Sequence, residues 1–203
     1  NMHLMKFNRT LKSGETYRFS IAGSSITSAH HDDPLNEAER LTIYAKLEGR
    51  DRLLQFHEQA WADLWKGDIE IEGDAVSQKD VRSMLYHLYS FSRAGTALSP
   101  SPMGLSGLGY NGHVFWDTEL WMFPAVLMMN HSLAKSMVEY RFQRLDAAKR
   151  NAFSKGFKGA MFPWESAETG VEETPVWALS GPFEHHITAC VAIAAWNYYC
   201  VTQ

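Results

Sequence analysis

The segment 109–124, GYNGHVFWDTELWMFP, constrains the fold of this chain more than any other part of its sequence. Its two leading glycines allow backbone paths that other residues avoid, so the segment begins as a loop. From Phe115 onward the apolar residues take helical spacing, which puts an adjacent pair, Trp116 and Asp117, in the first turn of a helix. The segment therefore predicts a loop that delivers an indole and a carboxylate to the start of a helix.

This arrangement has two interpretations. An indole covers the apolar face of a pyranose ring, and a carboxylate accepts hydrogen bonds from sugar hydroxyls, so the pair suits sugar recognition. Alternatively, Asp117 complements the helix dipole and the neighbouring aromatic residues belong to the core. Spacing alone leaves both interpretations open.

A second segment, 156–170, repeats the same logic with the sequence GFKGAMFPWESAETG. It contains spaced glycines, an aromatic residue and another adjacent indole–acid pair, Trp164 and Glu165. Asp117 and Glu165 could form the catalytic pair of a small glycosidase, whose carboxyl groups lie ~5 Å apart in retaining enzymes and ~6.5–9.5 Å apart in inverting ones. Acids on two separate loops can meet either spacing.

Together the two segments closely resemble glycoside hydrolase family 65. That family holds trehalose, maltose and kojibiose phosphorylases, acid trehalases and the glucosidase that acts on glucosyl-galactosyl-hydroxylysine. The resemblance runs from about Trp61 to the C-terminus, through GYNGHVFWDTELWMFP and YRFQRLDAAKRNAFSKGFKGAMFPWESAETGVEETP. It implies an (α/α)6 catalytic barrel after a β-sandwich, and cleavage with inversion by one general acid. That acid is expected beyond Gln203, so the catalytic residue is unknown.

The resemblance also implies a glucose-binding site on these loops. The predicted substrate-binding residues are the two indole–carboxylate pairs and nearby aromatic and histidine residues: Trp116, Asp117, Trp164, Glu165, His113, Tyr110, Phe115 and His185, with His186 as the alternative to His185. No Cys–His spacing typical of a metal site is present, so no metal is predicted. No cofactor is expected either, apart from inorganic phosphate as co-substrate if the enzyme is a phosphorylase.

Periodicity predicts a mainly α chain. Residues 1–29 alternate like a short β-hairpin, which the resemblance makes the remnant of a β-sandwich; residues 30–73 form linker helices and residues 74–203 the first part of the (α/α)6 barrel. The predicted helices cover 36–66 with an interruption near Gly49, 75–93 after a cap at Asp74, 115–129 with a kink at Pro124, 132–155, and 184 to the end.

Several side chains receive structural predictions. The last helix is apolar nearly all round, which predicts burial on every side, as in an inner barrel helix. Cys190 and Cys200, ten helical positions apart and so separated by ~15 Å, are predicted to be buried free thiols. Among the remaining acids of the two segments, Glu119 is expected to be a helix N-terminal acid, and Glu168, Glu172 and Glu173 are expected to form a solvated acidic face.

Composition narrows the choice of partners. A net charge of −4 gives no reason to expect nucleic acid or an anionic membrane surface. Neither a run of eighteen apolar residues nor a signal peptide is visible. The compartment is left unknown, between the periplasm and the cytoplasm of a bacterium.

By resemblance, the chain is a fragment of an enzyme that cleaves α-glucosidic bonds of disaccharides or glucosyl conjugates. The run 120–124 favours hydrolysis over phosphorolysis, and the fragment alone is expected to be inactive. The alternatives are a maltose, trehalose or kojibiose phosphorylase, and a non-catalytic helical carbohydrate-binding or assembly module. The predicted partners are a small-molecule α-glucoside and further copies of the chain, because an incomplete barrel exposes an apolar patch.

Overall fold

The computed structural model describes residues 4–28, 30–105 and 107–203, and these residues are mainly helical, as predicted. The chain divides into two compact units, Asn1–Asp63 and Leu64–Gln203. The α-helices of the described residues are α1 (Pro34–Glu48), α2 (Arg50–Leu64), α3 (Ala75–Phe91), α4 (Phe123–Met129), α5 (His131–Gln143), α6 (Leu145–Ser154) and α7 (His186–Thr202).

In the first unit, residues 4–28 form a turn but no strand. The turn brings the rings of Phe7 and Phe19 to a centroid distance of 6.0 Å. A lone two-stranded ribbon is marginally stable in water, which accounts for the lack of strand pairing. The predicted β-hairpin and its origin in a β-sandwich are therefore not confirmed, and residues 1–3 and 29 of that segment lie outside the described residues.

The predicted helix 36–66 is interrupted at Gly49, as expected. Asp33 begins α1 by accepting a hydrogen bond from the Asn36 N–H at 3.1 Å, and Pro34 takes a first-turn position that needs no N–H donor. Gly49 ends α1 with a φ of 77°, a left-handed conformation that glycine adopts readily. Neither α1 nor α2 contains a buried residue, so local capping signals define their ends.

In the second unit, α3 begins at the predicted cap. The Asp74 carboxylate accepts hydrogen bonds from two backbone N–H groups of the first turn. Arg82 of α3 donates to Asp68 at 2.6 Å and holds the pKa of that carboxyl below its usual value. The buried Tyr89 donates its hydroxyl to the Gly67 carbonyl at 2.6 Å, which fixes the preceding loop against the helix.

The predicted helix 115–129 forms in two parts. Thr118–Met122 is one π-helical turn, in which the Phe123 N–H bonds to the Thr118 carbonyl, and α4 follows. Pro124 lies in the first turn of α4 and has no N–H to donate. The helix type therefore changes just before Pro124, from a π-helical turn to an α-helix, and the predicted kink at Pro124 stays a prediction.

The prediction of one helix over 132–155 is wrong, because Arg144 separates α5 from α6. Arg144 has φ −102° and ψ 9°. Its guanidinium donates to the Ala167 carbonyl at 3.0 Å and the Tyr140 carbonyl at 2.9 Å, and it lies 3.8 Å from the centre of the Tyr140 ring. The hydrogen bond to the distant Ala167 sets the break, and helical periodicity does not reveal it.

The core of the second unit forms where α5 contacts both α4 and α7. Its largest fully buried side chains include Tyr89, Phe123, Val126 and Ile187. No helix of the described part of the chain has the length and apolar content needed to cross a bilayer.

The predicted burial of α7 on every side is wrong for this chain. One side of α7 is buried and includes Ile187 and Val191, whereas Ile193 and Trp196 on the other side are 51% and 63% exposed. The two thiols also differ, since Cys190 is buried but Cys200 is exposed. The prediction of a buried free thiol is therefore confirmed for Cys190 and wrong for Cys200.

Candidate functional site on two joined loops

A backbone bridge joins the two loops that carry the predicted site residues. The Val114 N–H donates to the Ser166 carbonyl at 2.8 Å, and the Ser166 N–H donates to the Val114 carbonyl at 2.9 Å. Ser166 also pairs with Glu172 in antiparallel fashion, so three chain segments lie side by side. The bridge therefore places the chain segment that precedes Trp116 and Asp117 next to the segment that follows Trp164 and Glu165.

His113 and Glu165 meet across this bridge. The His113 Nδ1 atom lies 2.7 Å from the Glu165 Oε1 atom, although the residues are 52 positions apart. The side chain of Glu165 is 5% exposed and that of His113 is 23% exposed. Because the carboxylate engages Nδ1, the ring nitrogen that His113 can offer to a ligand is Nε2.

Trp116 and Asp117 are partly exposed. The Trp116 ring lies 4.8 Å from the Trp121 ring and 4.8 Å from the His186 ring, the latter edge-on. Asp117 forms no capping hydrogen bond, and none of the described residues donates to its carboxylate. This carboxylate is therefore available to the hydroxyl groups of a ligand.

Aromatic contacts connect the two Trp–acid pairs. The Phe115 ring lies 5.3 Å from the Trp164 ring and 5.0 Å from the Tyr110 ring, both in edge-on geometry. Trp116 and Trp164 pack against the same buried cluster, which is formed by Ala148, Phe162, Ile187 and Val191. Phe115 is buried and Tyr110 is exposed, and their predicted contacts with substrate stay predictions.

Of the two candidate histidines at the start of α7, His186 contacts the site. Its ring lies against Trp116, whereas the His185 ring lies 5.1 Å from Phe157, edge-on. Both histidines are exposed. The structure therefore places His186, which was predicted only as the alternative to His185, next to Trp116. His185 lies instead next to Phe157, in the segment that leads to Trp164.

A buried ion pair that includes Glu119, two residues after Asp117, was missed. Arg141 donates to both carboxylate oxygens of Glu119, from Nε at 2.7 Å and from Nη2 at 3.0 Å. Their side chains are 3% and 4% exposed. Glu119 lies in the first turn of the π-helical segment, as predicted, but its carboxylate is buried and paired with an arginine. The only sequence signal was an arginine among the apolar positions of a predicted helix, where a charge requires a partner.

The prediction that Glu172 belongs to a solvated acidic face is also corrected. Its carboxylate accepts hydrogen bonds from the backbone N–H groups of Trp164 at 2.9 Å and Glu165 at 3.1 Å. Its Oε1 atom also accepts from the backbone and hydroxyl of Thr174. The Glu172 carboxylate therefore stabilises the second loop through hydrogen bonds within it. Of the three acids predicted to form the acidic face, only Glu168 and Glu173 are exposed.

The ionisation of the buried groups suits a rigid site. Burial acts to lower the pKa of Arg141, but the Glu119 carboxylate outweighs it, and the net shift is upward. Burial raises the pKa of Tyr140, whose hydroxyl lies 2.9 Å from the Ser166 Oγ atom. Arg141 is therefore charged and Tyr140 neutral at neutral pH. Within the described ranges, no group of three or more His, Cys, Asp or Glu side chains could hold a metal ion.

Comparisons with known proteins bear on the identity of this fold and site. The model of the glycosyl hydrolase family 65 central catalytic domain matches residues 82–203. A "Kojibiose hydrolase" of Mucilaginibacter mallensis is 69% identical over 203 residues, which cover 100% of this chain and 30% of that protein. A "Kojibiose phosphorylase" of Thermoanaerobacter brockii is 43% identical over 168 residues, which cover 77% of this chain and 22% of that protein.

A solved structure supports the helical fold. The chain described as "Putative kojibiose phosphorylase from human microbiome" matches with a TM-score of 0.73 and 24% identity, over 82% of this chain and 23% of that one. The present chain thus spans 30% of the length of the M. mallensis hydrolase. The resemblance predicted from the two loop segments is confirmed, and the chain belongs to glycosyl hydrolase family 65.

Proposed function

We propose that this chain is the glucose-binding part of an inverting enzyme that hydrolyses kojibiose or a related α-glucoside. The 69% identity to a protein named kojibiose hydrolase supports hydrolysis. Phosphorolysis is the second candidate, because a relative at 43% identity is named kojibiose phosphorylase. Inorganic phosphate would then be the co-substrate in place of water.

The arrangement of the Trp116–Asp117 pair on the two joined loops carries this proposal. The Val114–Ser166 bridge joins the two loops, while the Asp117 carboxylate beside Trp116 has no donor among the described residues. A partly exposed carboxylate next to an indole offers the two contacts that a pyranose ring uses, namely an apolar platform and a charged acceptor.

The roles of the individual side chains follow from this chemistry. Trp116 would stack on the glucosyl ring, and Asp117 would accept hydrogen bonds from its hydroxyls. His113, oriented through Nδ1 by the buried Glu165, would present Nε2 to the sugar. Contacts that strengthen as the ring distorts would favour the transition state as well as binding.

The remaining assignments concern the architecture. We assign residues 74–203 to the first part of an (α/α)6 barrel, residues 30–73 to linker helices and residues 1–29 to the end of a β-sandwich. The apolar exposed side of α7 supports the barrel, because an inner helix is covered by neighbours on every side. We assign the general acid to a part of the enzyme outside these 203 residues.

Calorimetric titration of the chain with kojibiose tests the binding site. We expect Asp117→Asn to weaken the affinity at least tenfold, or about 1.4 kcal/mol, because hydrogen bonds to a charged acceptor are lost. Asp146→Asn is the matched control, since that carboxylate lies on α6 with its side chain 80% exposed. An Asp117→Asn variant that binds kojibiose as tightly as the parent would show that the proposed site is wrong.

An activity assay tests the assignment of the general acid. We expect the 203-residue chain to release no glucose from kojibiose, trehalose or maltose, with or without phosphate. Glucose release would show that the acid lies within the chain. Formation of glucose 1-phosphate in the presence of phosphate would contradict both that assignment and the preference for hydrolysis.

A further inference from the structure

In the buried ion pair between Glu119 and Arg141, the arginine contacts residues on both sides of the Trp116–Asp117 pair in the sequence. Arg141 Nη2 donates to the carbonyl of Phe115, the residue before Trp116, at 3.3 Å. Its Nε and Nη2 atoms hold Glu119, the second residue after Asp117. One guanidinium therefore fixes the backbone on both sides of the proposed sugar-binding pair.

The source of this constraint is a helix and not the loop itself. Arg141 lies on α5, which contacts α4 and α7 in the core of the second unit. Between the two points that Arg141 holds, the buried Thr118 hydroxyl donates to the Pro100 carbonyl at 2.8 Å. The backbone before and after Trp116 and Asp117 is thus held by hydrogen bonds to residues of the packed second unit.

Net stabilisation gives a poor account of this ion pair. Two charges that are nearly fully buried lose their hydration, and apolar residues of similar volume often serve stability equally well. Arg141 Nη1 is buried without a hydrogen-bond partner among the described residues, which is a further cost. The planar guanidinium holds three oxygen atoms in fixed directions, namely both Glu119 carboxylate oxygens and the Phe115 carbonyl oxygen. An apolar pair could not do this.

We infer that the Glu119–Arg141 ion pair is a positioning device that sets the orientation of Trp116 and Asp117 toward a glucosyl ring. This inference rests on the proposed function. A binding site needs its side chains held to within about 0.5 Å by their supporting contacts. The ion pair provides that support from a nearly fully buried position.

The decisive variant replaces both charges with apolar residues, Glu119→Leu together with Arg141→Met. We expect its thermal unfolding midpoint to stay close to that of the parent, while its affinity for kojibiose falls at least tenfold. A second readout is the NMR spectrum of the Trp116 indole N–H. We expect that resonance to shift and the contact of Trp116 with the His186 ring, 4.8 Å in the parent, to weaken.

Two further variants complete the design. Arg141→Lys keeps the charge but loses the fork, so we expect it to shift the Trp116 resonance even if the double variant fails to fold. Asp146→Leu with Lys149→Met removes a pair on α6 whose side chains are 80% and 57% exposed. This control pair is expected to change neither kojibiose affinity nor the Trp116 resonance.

The possible outcomes separate this inference from the proposed function. If the folded double variant, or Arg141→Lys in its place, keeps the parent's affinity, Trp116 resonance and His186 contact, the ion pair is only structural and the inference is wrong. If the parent binds no kojibiose, the proposed function fails, and the resonance and the His186 contact still decide whether the pair orients Trp116.

Discussion

Glu172 is an acidic side chain that serves as an acceptor inside a loop. It holds the backbone N–H groups of Trp164 and Glu165 at 2.9 and 3.1 Å. We expect Glu172→Ala to lower the free energy of unfolding by about 1–3 kcal/mol, because N–H groups in a buried loop lose their acceptor. Urea denaturation followed by circular dichroism measures this change.

The neighbouring Glu173 provides the control, because it has the same chemistry but is exposed. We expect Glu173→Ala to change the free energy of unfolding by no more than about 0.5 kcal/mol. Equal losses in the two variants would mean that the hydrogen bonds of Glu172 contribute nothing specific to the loop.

The residues of the site differ in how local their sequence signal is. Each Trp–acid pair stands beside its own glycines within a few consecutive positions, so both pairs could be identified from the sequence. Glu119 and Arg141 are 22 positions apart, and although the position of Arg141 among apolar helix residues indicates that it needs a partner, nothing local identifies Glu119 as that partner. The missing information was the packing of α5 against the segment before α4, which is a tertiary property.

The same distinction holds for whole elements. Helix ends that depend on a glycine or a capping acid were predicted, as at Gly49 and Asp74. The break at Arg144 was not, because its cause is a hydrogen bond to the distant Ala167 carbonyl. The strands predicted in residues 1–29 are absent from residues 4–28, because the two halves of that segment do not stabilise each other as a lone hairpin.

Gly170 allows the second loop to approach the junction of α5 and α6. Its φ is +71°, and a Cβ atom there would lie 2.6 Å from the Arg144 Cβ atom. We expect Gly170→Ala to destabilise the chain by about 1–2 kcal/mol through its backbone conformation, and by about 1–3 kcal/mol more through crowding. The midpoint of urea denaturation, compared at constant slope, measures the sum.

Gly159 separates the two contributions. Its φ is +87°, but apart from its two chain neighbours no described residue has an atom within 4 Å of the position that a Cβ would take. We expect Gly159→Ala to show the backbone cost alone, about 1–2 kcal/mol. A Gly170→Ala variant no less stable than Gly159→Ala would contradict the proposed close packing against Arg144.

At the scale of the whole molecule, α7 leaves an apolar face uncovered. Ile193, Trp196 and Tyr199 are 51%, 63% and 56% exposed, and Phe142 of α5 is 70% exposed. A cavity of about 260 Å³ with a mostly apolar lining lies between α5 and α7. Monomeric proteins rarely expose apolar patches of large area, so we expect copies of the chain to associate through this face.

Sedimentation velocity over a range of concentrations tests this expectation. The parent should sediment as a dimer or larger species, and Ile193→Glu with Trp196→Glu should shift it to a monomer, because buried unpaired carboxylates oppose association. Val176→Glu with Trp177→Glu is the matched control, since these side chains, 92% and 78% exposed, lie outside α7. A parent that stays monomeric would contradict self-association, and equal dissociation by both double variants would mean that α7 is not the contact.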